Sequence, residues 1–307
     1  MMNLSKLTSG PLTLGVELPL DNDWSADGQR RRMLDQRPFG VPDLSSHQSL
    51  AIAADELGFK ALWIRDVPLY DPSFGDAAQV FDPLVYLGFL AGVTRNILLG
   101  TAAIVLPLRN PWIVRKSAAS VQALSRNRLL LGIASGDRPS EYPLFGADYG
   151  TRGQAFRHGV GVLTGKQDHR LAPGQAMLPD TPPAPLLSAG LSQQSPDWIG
   201  EHMSGWLAYP GTPEDHEHRV RLWRNVAGDK PYVSFIHLDY LDDATAPRRR
   251  HRFGVQTGRD GLLRELEEMQ SAGVNHIGLH FRRNQAPVAE TLMRVAEDIL
   301  GVFHEAS

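Results

Sequence analysis

Short apolar runs alternate with helical patterns along the whole chain, and this alternation limits the fold more than any other feature. Several of the runs, such as Leu129–Ile133, are apolar without a polar alternation, which is typical of strands covered on both faces of a parallel sheet. The predicted strands are Leu12–Leu18, Ala61–Arg65, Ile97–Val105, Arg128–Ala134, Ala184–Ser188, Gly205–Tyr209, Tyr232–His237 and Val274–His280.

A stretch with helical spacing of apolar residues follows each predicted strand. Eight strands and eight helices in strict alternation predict an α/β fold, a (β/α)8 TIM barrel with loop insertions at the C-terminal face. The length of 307 residues allows one large domain or two small ones, and the barrel pattern favours a single domain over residues 1–307. A doubly wound open sheet is the structural alternative, but it usually has fewer βα units.

The composition excludes several kinds of site. The chain has no cysteine, which removes disulfides, iron–sulfur clusters, thiolate zinc sites and cysteine nucleophiles. A net charge of −3 gives no general attraction to nucleic acid or to an anionic membrane. No apolar run is long enough to cross a bilayer, and the N-terminus lacks the layout of a signal peptide. We therefore expect a soluble, cytoplasmic protein that binds neither nucleic acid nor membrane.

Local metal and nucleotide motifs are missing from the sequence. His216 and His218 lie two positions apart on a predicted helix, so they point to different faces, and we expect them to be solvated. Gly161 and Gly165 are separated by three residues where a phosphate loop has four, and no nucleophile elbow occurs. We expect no metal site.

Two short turns predict a binding site for an anion. In a parallel barrel the loops after the strands carry the function. Ser188–Gln193 follows a strand and opens a predicted helix, so its N–H groups can approach an anion, although Ser192 can also be a simple N-cap. Ala134–Arg138 ends the fourth strand, where Arg138 can neutralise a phosphate. Together the turns predict an anionic cofactor across the C-terminal rim.

Two basic runs, Arg30–Arg32 and Arg248–Arg252, fall in predicted loops on the same face. One interpretation is an electropositive rim for a phosphorylated cofactor or an acidic substrate. The alternative, which charge runs more often follow, is a set of solvated arginines paired with Asp242 and Asp243.

Several longer segments resemble the luciferase-like monooxygenase superfamily, in order and with matching spacings from about Leu12 to Leu300. The segments are Ala54–Trp63, Leu99–Pro111, Ala123–Gly136, Phe145-Gly146, Ala189-Gly190, Gly205-Trp206 and Ala272–Ile277. The resemblance implies a barrel enzyme that binds reduced FMN or the deazaflavin F420. It is specific for the superfamily and says little about the substrate.

The resemblance also implies positions for the cofactor. Members of the superfamily often have a non-proline cis peptide behind the cofactor ring, and the matching bond is Ala102–Ala103. Glu17 and Asp66 would face the ring, although Asp66 can also cap the turn that follows it. The phosphate would be contacted by Ser135, Gly136, Gly190, Leu191 and Ser192.

The sequence departs from bacterial luciferase at three positions. Val67 follows Asp66 where luciferase has a catalytic histidine, Ala134 replaces its reactive cysteine, and Ser135 replaces its phosphate-binding arginine. Light emission is therefore not implied, and the catalytic base is unknown. Candidates, each of which can equally be a packed or rim residue, are His237, His280, Asp66, Tyr142 and Asp137.

The expected function is that of a flavin-dependent oxidoreductase, an FMN monooxygenase that acts on a small organic substrate and receives reduced flavin from a separate flavin reductase. One alternative is an F420-dependent oxidoreductase that transfers hydride, for which an arginine-rich rim would suit the acidic tail of F420. A second alternative is a flavin-binding protein without catalysis. The family resemblance also predicts a homodimer.

Overall fold

The computed structural model describes residues 4–74 and 80–304, so the predicted loop 66–81 lies partly outside the described residues. The strands are β1 (Thr13–Glu17), β2 (Ala61–Ile64), β3 (Leu98–Thr101), β4 (Ile104–Val105), β5 (Leu129–Ala134), β6 (Leu186–Ala189), β7 (Gly205–Leu207), β8 (Tyr232–Tyr240), β9 (Arg249–His251), β10 (Gly254–Thr257) and β11 (His276–His280). The helices are α1 (Ala26–Leu34), α2 (His47–Glu56), α3 (Pro83–Val93), α4 (Pro111–Ser125), α5 (Arg152–Leu163), α6 (Pro196–His202), α7 (Pro213–Ala227), α8 (Arg259–Ser271), α9 (Val288–Val295) and α10 (Gly301–Phe303), with a π-helical turn, Ala296–Leu300, between the last two.

Eight parallel strands close into a barrel. Their order is β1-β2-β3-β5-β6-β7-β8-β11, and β11 pairs with both β8 and β1. The predicted (β/α)8 TIM barrel is thus confirmed, and the open-sheet alternative is wrong because the sheet has no free edge between β1 and β11. The register places His280 directly beside His237, and Val16 beside Leu62.

The side chains of each strand alternate between two buried layers, which explains why the strands are apolar throughout. On β2, Trp63 packs inside the barrel with Leu130 and Phe235, whereas Leu62 and Ile64 pack outward against the helices. Leu7, in the short N-terminal helical segment Leu4–Thr8, joins the inner cluster and is fully buried. Both faces of the strand are therefore removed from water.

Helix boundaries follow the expected chemistry in most places. Pro111 is the first residue of α4, and the side chain of Asn110 accepts hydrogen bonds from the N–H groups of the first turn. Thr212 and Asp215 form a capping box at α7. Ser46 precedes α2 as predicted, but its side chain makes no capping hydrogen bond.

The third predicted strand, Ile97–Val105, is two strands. The bond Ala102–Ala103 is cis and separates β3 from β4. β3 and β4 both pair with β5, Leu99 beside Leu129 and Ile104 beside Ile133, so the chain bulges between them. The apolar pattern continues through the bulge and therefore cannot reveal it.

The predicted loop 238–258 contains three stretches of strand. β8 continues to Tyr240, and β9 and β10 form a hairpin whose second strand extends the sheet beside β8. The basic run Arg248–Arg252 therefore lies on this hairpin, and Arg30–Arg32 lies in α1, so neither run is a simple loop.

The predicted partners of the second basic run are also wrong. Arg248 and Arg250 both bind Glu265 of α8, at 2.9 and 2.7 Å. Asp242 instead pairs with Arg294. The cause is the hairpin, which turns the arginines toward α8 rather than toward the neighbouring aspartates.

The expectation that His216 is solvated is wrong. It is fully buried, and its Nδ1 lies 2.9 Å from the hydroxyl of Tyr232, whereas His218 is exposed as predicted. The two residues do point to different faces of α7, but one of those faces packs on the barrel.

Among the described residues, no helix combines the length and hydropathy that a bilayer crossing requires.

Candidate active site

A cavity of about 1020 Å³ opens at the carboxyl ends of the barrel strands. Its walls come from residues at or just beyond the ends of seven barrel strands: Glu17, Arg65, Ala102, Ala134, Ala189, Leu207 and His237. All residues expected to hold a cofactor line this cavity. The tertiary structure thus brings together residues that are far apart in the sequence.

The alanine bulge forms one wall of the cavity, and Asp66 holds it from behind. One carboxylate oxygen of Asp66 accepts hydrogen bonds from the N–H of Val105, at 3.0 Å, and from Nε of Arg109, at 2.9 Å. The other oxygen accepts from the Arg109 guanidinium at 2.7 Å. These hydrogen bonds connect β2 to the chain beyond the bulge, so Asp66 positions the wall of the cavity instead of capping its own turn.

The turn after β5 is packed tightly against a tyrosine. Gly136 has a φ of +81°, and a Cβ at this position would lie 2.5 Å from the hydroxyl of Tyr142. Tyr142 is buried and donates its hydroxyl hydrogen bond to the carbonyl of Ser135, while burial raises its pKa to about 12. Tyr142 therefore supports the turn, and its high pKa makes it a poor base at neutral pH.

The turn after β6 has a left-handed backbone at three residues. Gly190, Ser192 and Gln193 all have positive φ angles, of 57°, 46° and 61°. The N–H of Gly190 donates to the carbonyl of Leu207 at 3.0 Å, so an anion here would be bound by N–H groups later in the turn. The expected role of a helix N-terminus here is wrong, because α6 begins only at Pro196 and its N-cap is Ser195.

Two arginines line the cavity near these turns. The guanidinium of Arg138 lies over the ring of Phe74, at 4.6 Å, and 3.9 Å from Glu141. Arg152, the first residue of α5, stacks on Tyr149 at 3.7 Å and donates a hydrogen bond to its carbonyl. Its Nε is buried and has no hydrogen-bond partner among the described residues. The sequence analysis missed Arg152, because no local motif marks it.

The opposite side of the cavity holds a cluster of polar side chains beneath aromatic rings. The rings of His237 and His280 are stacked, with centroids 4.1 Å apart, and Trp24 lies 5.4 Å from His280. Glu17 accepts a hydrogen bond from Nε of Arg65 at 2.5 Å. Trp24 and Arg65 are further cavity residues that the sequence analysis did not single out.

Both histidines are neutral at ordinary pH. Burial lowers the pKa of His237 to about 3, and the nearby Arg65, Arg283 and His251 add to this effect. Burial also holds the pKa of His280 well below its usual range. A histidine with so low a pKa is a weak general base, so these two candidates suit hydrogen bonding or ligation better than proton abstraction.

The architecture and the cavity define the class of the molecule, a (β/α)8-barrel enzyme whose site lies where such barrels carry their chemistry. The sequence identifies the family within this class. The model of the luciferase-like monooxygenase family matches residues 23–234, and the chain belongs to that family. The resemblance found in the sequence is therefore confirmed.

The known proteins that this chain resembles include one that depends on F420 and one that is in complex with FMN. The chain is 25% identical over 232 residues to an uncharacterised protein of Mycobacterium tuberculosis, covering 67% of this chain and 80% of that protein. It superposes on an F420-dependent secondary alcohol dehydrogenase with a TM-score of 0.70, at 16% identity, covering 94% of this chain and 98% of the other. It also superposes on the FMN complex of the oxygenating constituent of 3,6-diketocamphane monooxygenase from Pseudomonas putida, with a TM-score of 0.64, at 13% identity and the same coverage.

Proposed function

We propose that this protein is a flavin-dependent monooxygenase that binds reduced FMN and acts on a small organic substrate. The observation that carries the proposal is the placement of an alanine bulge and the two turns expected to bind an anion around one cavity. The volume of about 1020 Å³ is at the upper end of ordinary ligand pockets, so it can hold a cofactor and a substrate together.

The residues of the cavity fit FMN at both ends. Ala102 and Ala103 line the cavity with small side chains that leave space for a ring, and the buried, unpartnered Nε of Arg152 is suited to an anionic phosphate. The other proposed phosphate contacts are Ser135, Gly136, Arg138, Gly190, Leu191 and Ser192. Reduced FMN would supply the reaction with dioxygen, which the protein itself cannot perform.

The chain's own residues bind the reactants, orient them and exclude water. Asp66 and Arg109 hold the bulge, and Tyr142 holds the turn at Gly136. Trp24 and Phe253 line the substrate side of the cavity, where they cover the histidine pair. A neutral His237 can donate or accept one hydrogen bond with a polar substrate group, which orients the substrate without a change of charge.

F420-dependent hydride transfer is the second candidate. Arg252 and Arg283 line the cavity, are exposed, and pack over the rings of Phe253 and Trp24. Such a pair suits the acidic tail of F420. Arg248 and Arg250 bind Glu265 and do not add to this basic rim, and FMN is therefore our first choice.

A separate flavin reductase and a homodimeric assembly complete the proposal on the strength of the family resemblance, and the cytoplasmic location stays the expectation drawn from the composition. Membership of a monooxygenase family supports an enzyme, so a flavin-binding protein without catalysis is not proposed.

The direct test is a titration of the purified protein with FMN, reduced FMN and F420, followed by absorption and fluorescence. We expect saturable binding of FMN in at least one redox state, and substrate-dependent oxygen consumption when a flavin reductase and NADH as its electron donor are added. Tight binding of F420 without affinity for FMN would replace the first candidate with the second. Binding of neither cofactor would refute both.

A further inference from the structure

Three side chains from three strands meet on the substrate side of the cavity. Glu17 ends β1, His280 ends β11, and His237 lies in β8, so the closure of the barrel between β1, β11 and β8 brings them together. One carboxylate oxygen and one ring nitrogen from each histidine all lie within 4.8 Å of one another. All three residues are at least nine-tenths buried.

The cluster contains polar atoms that lack partners. Oε2 of Glu17, Nδ1 of His237 and both ring nitrogens of His280 are buried without a hydrogen bond to any described residue. A buried polar atom without a partner costs free energy, so four of them in one place call for a bound species. The other carboxylate oxygen of Glu17 is already bound to Arg65, which fixes the carboxylate.

We propose that Glu17, His237 and His280 bind one divalent ion of a first-row transition metal, such as Zn²⁺, Co²⁺ or Fe²⁺. Two imidazoles and one carboxylate are the donor set of catalytic zinc sites and of mononuclear iron sites. Three protein ligands leave coordination positions open, and Glu17 and His237 line the cavity, so an open position faces the substrate. The class of ligand for that position is an oxygen donor, such as a carbonyl, hydroxyl or carboxylate group.

The neighbouring cations are largely balanced within the protein. Arg65 binds Glu17 and would act as the outer hydrogen-bond donor of a metal-binding carboxylate, and Arg282 binds Asp21 at 2.8 Å. Arg283 is exposed to solvent.

This inference differs from the expectation from sequence that the chain has no metal site. That expectation considered ligands at fixed short spacings, whereas these ligands come from the first, seventh and last strands of the barrel. The inference also goes beyond the proposed flavin chemistry and does not depend on it.

The test uses tag-free protein without flavin, freed of metal with a chelator and titrated with Co²⁺ at neutral pH. Visible absorption bands of bound Co²⁺ report nitrogen and oxygen ligands, and Zn²⁺ should displace it. We expect one equivalent of Co²⁺ per chain and a higher unfolding temperature with metal bound. Glu17→Gln and His280→Gln should each weaken binding by more than about tenfold.

The matched control is His158→Gln, which removes an exposed histidine on α5 and should leave the binding unchanged. Circular dichroism verifies folding, and His237→Gln takes the place of any variant that does not fold. Failure to saturate with Co²⁺ or Zn²⁺ overturns the proposal, as does binding that survives both Glu17→Gln and His280→Gln. FMN titration of the same metal-free protein tests the flavin proposal separately.

Discussion

Asp66 and Arg109 are joined by two parallel hydrogen bonds, Nε to Oδ2 at 2.9 Å and a terminal guanidinium nitrogen to Oδ1 at 2.7 Å. The pair connects the end of β2 to the residue before the N-cap of α4, on either side of the alanine bulge. Arg109 also binds Asp82, the N-cap of α3. One guanidinium thus fixes three elements behind the proposed ring site.

Arg109→Gln should destabilise the protein, because it leaves the buried carboxylate of Asp66 without its charged partner. The expected loss in the free energy of unfolding is about 3 kcal/mol. Urea unfolding measures it. The control is Arg115→Gln, which breaks a more exposed pair with Asp168 and should cost less than about 1 kcal/mol. Equal losses in the two variants would show that Asp66 does not depend on Arg109.

Gly136→Ala should destabilise the turn for two reasons. The left-handed backbone costs a residue with a Cβ about 1 kcal/mol, and contact with Tyr142 and Val105 adds about 1–3 kcal/mol. Gly146→Ala is the control, because its φ is +64° but no atom lies within 4 Å of its Cβ position. Thermal and urea unfolding compare the two. A loss at Gly146 as large as at Gly136 would contradict the packing argument.

Arg152→Gln should weaken the binding of FMN by about tenfold or more, because it removes a charged donor whose hydrogen bond is worth about 1.5–3 kcal/mol. Quenching of flavin fluorescence measures the affinity. Arg170→Gln, at an exposed position outside the cavity, should leave the affinity unchanged. Unchanged affinity in Arg152→Gln would move the phosphate site away from the start of α5.

His216 should make the stability of the protein depend on pH. Burial lowers its pKa to about 4, so between about pH 4 and 6.5 the unfolded chain binds a proton that the folded chain does not. The contribution of His216 to stability therefore falls as the pH is lowered through this window and is constant above it. Each such histidine contributes a slope of up to about 1.4 kcal/mol per pH unit.

Urea unfolding at several pH values between 4 and 7 gives this slope. His216→Gln should reduce it, whatever its effect on stability at pH 7, and the exposed His218→Gln on the same helix should not. An unchanged slope in His216→Gln would mean that this imidazole is protonated in the folded state.

The barrel itself was predictable from the sequence, because strands buried on both faces carry long apolar runs and helices between them repeat every three to four residues. Leu262, Leu266 and Met269 have this spacing on α8 and are all buried. The bulge at Ala102–Ala103 was reached only through the family resemblance, since its residues are as small and apolar as those of a continuous strand. The β9–β10 hairpin was missed because its sequence, rich in arginine, is polar on its exposed face.

Sequence alone determined which residues form the barrel core and which lie at its strand ends, because hydrophobic burial follows local periodicity. Only the tertiary structure shows three contacts of the polar residues. Glu17 lies beside the two histidines, Arg152 lines the cavity, and Arg250 pairs with Glu265. Those contacts depend on the hairpin, the strand register and the closure of the barrel, and closure joins residues as far apart as Glu17 and His280. No short-range pattern in a chain encodes such distances, so the polar chemistry of the site appears only when the ring of strands is closed.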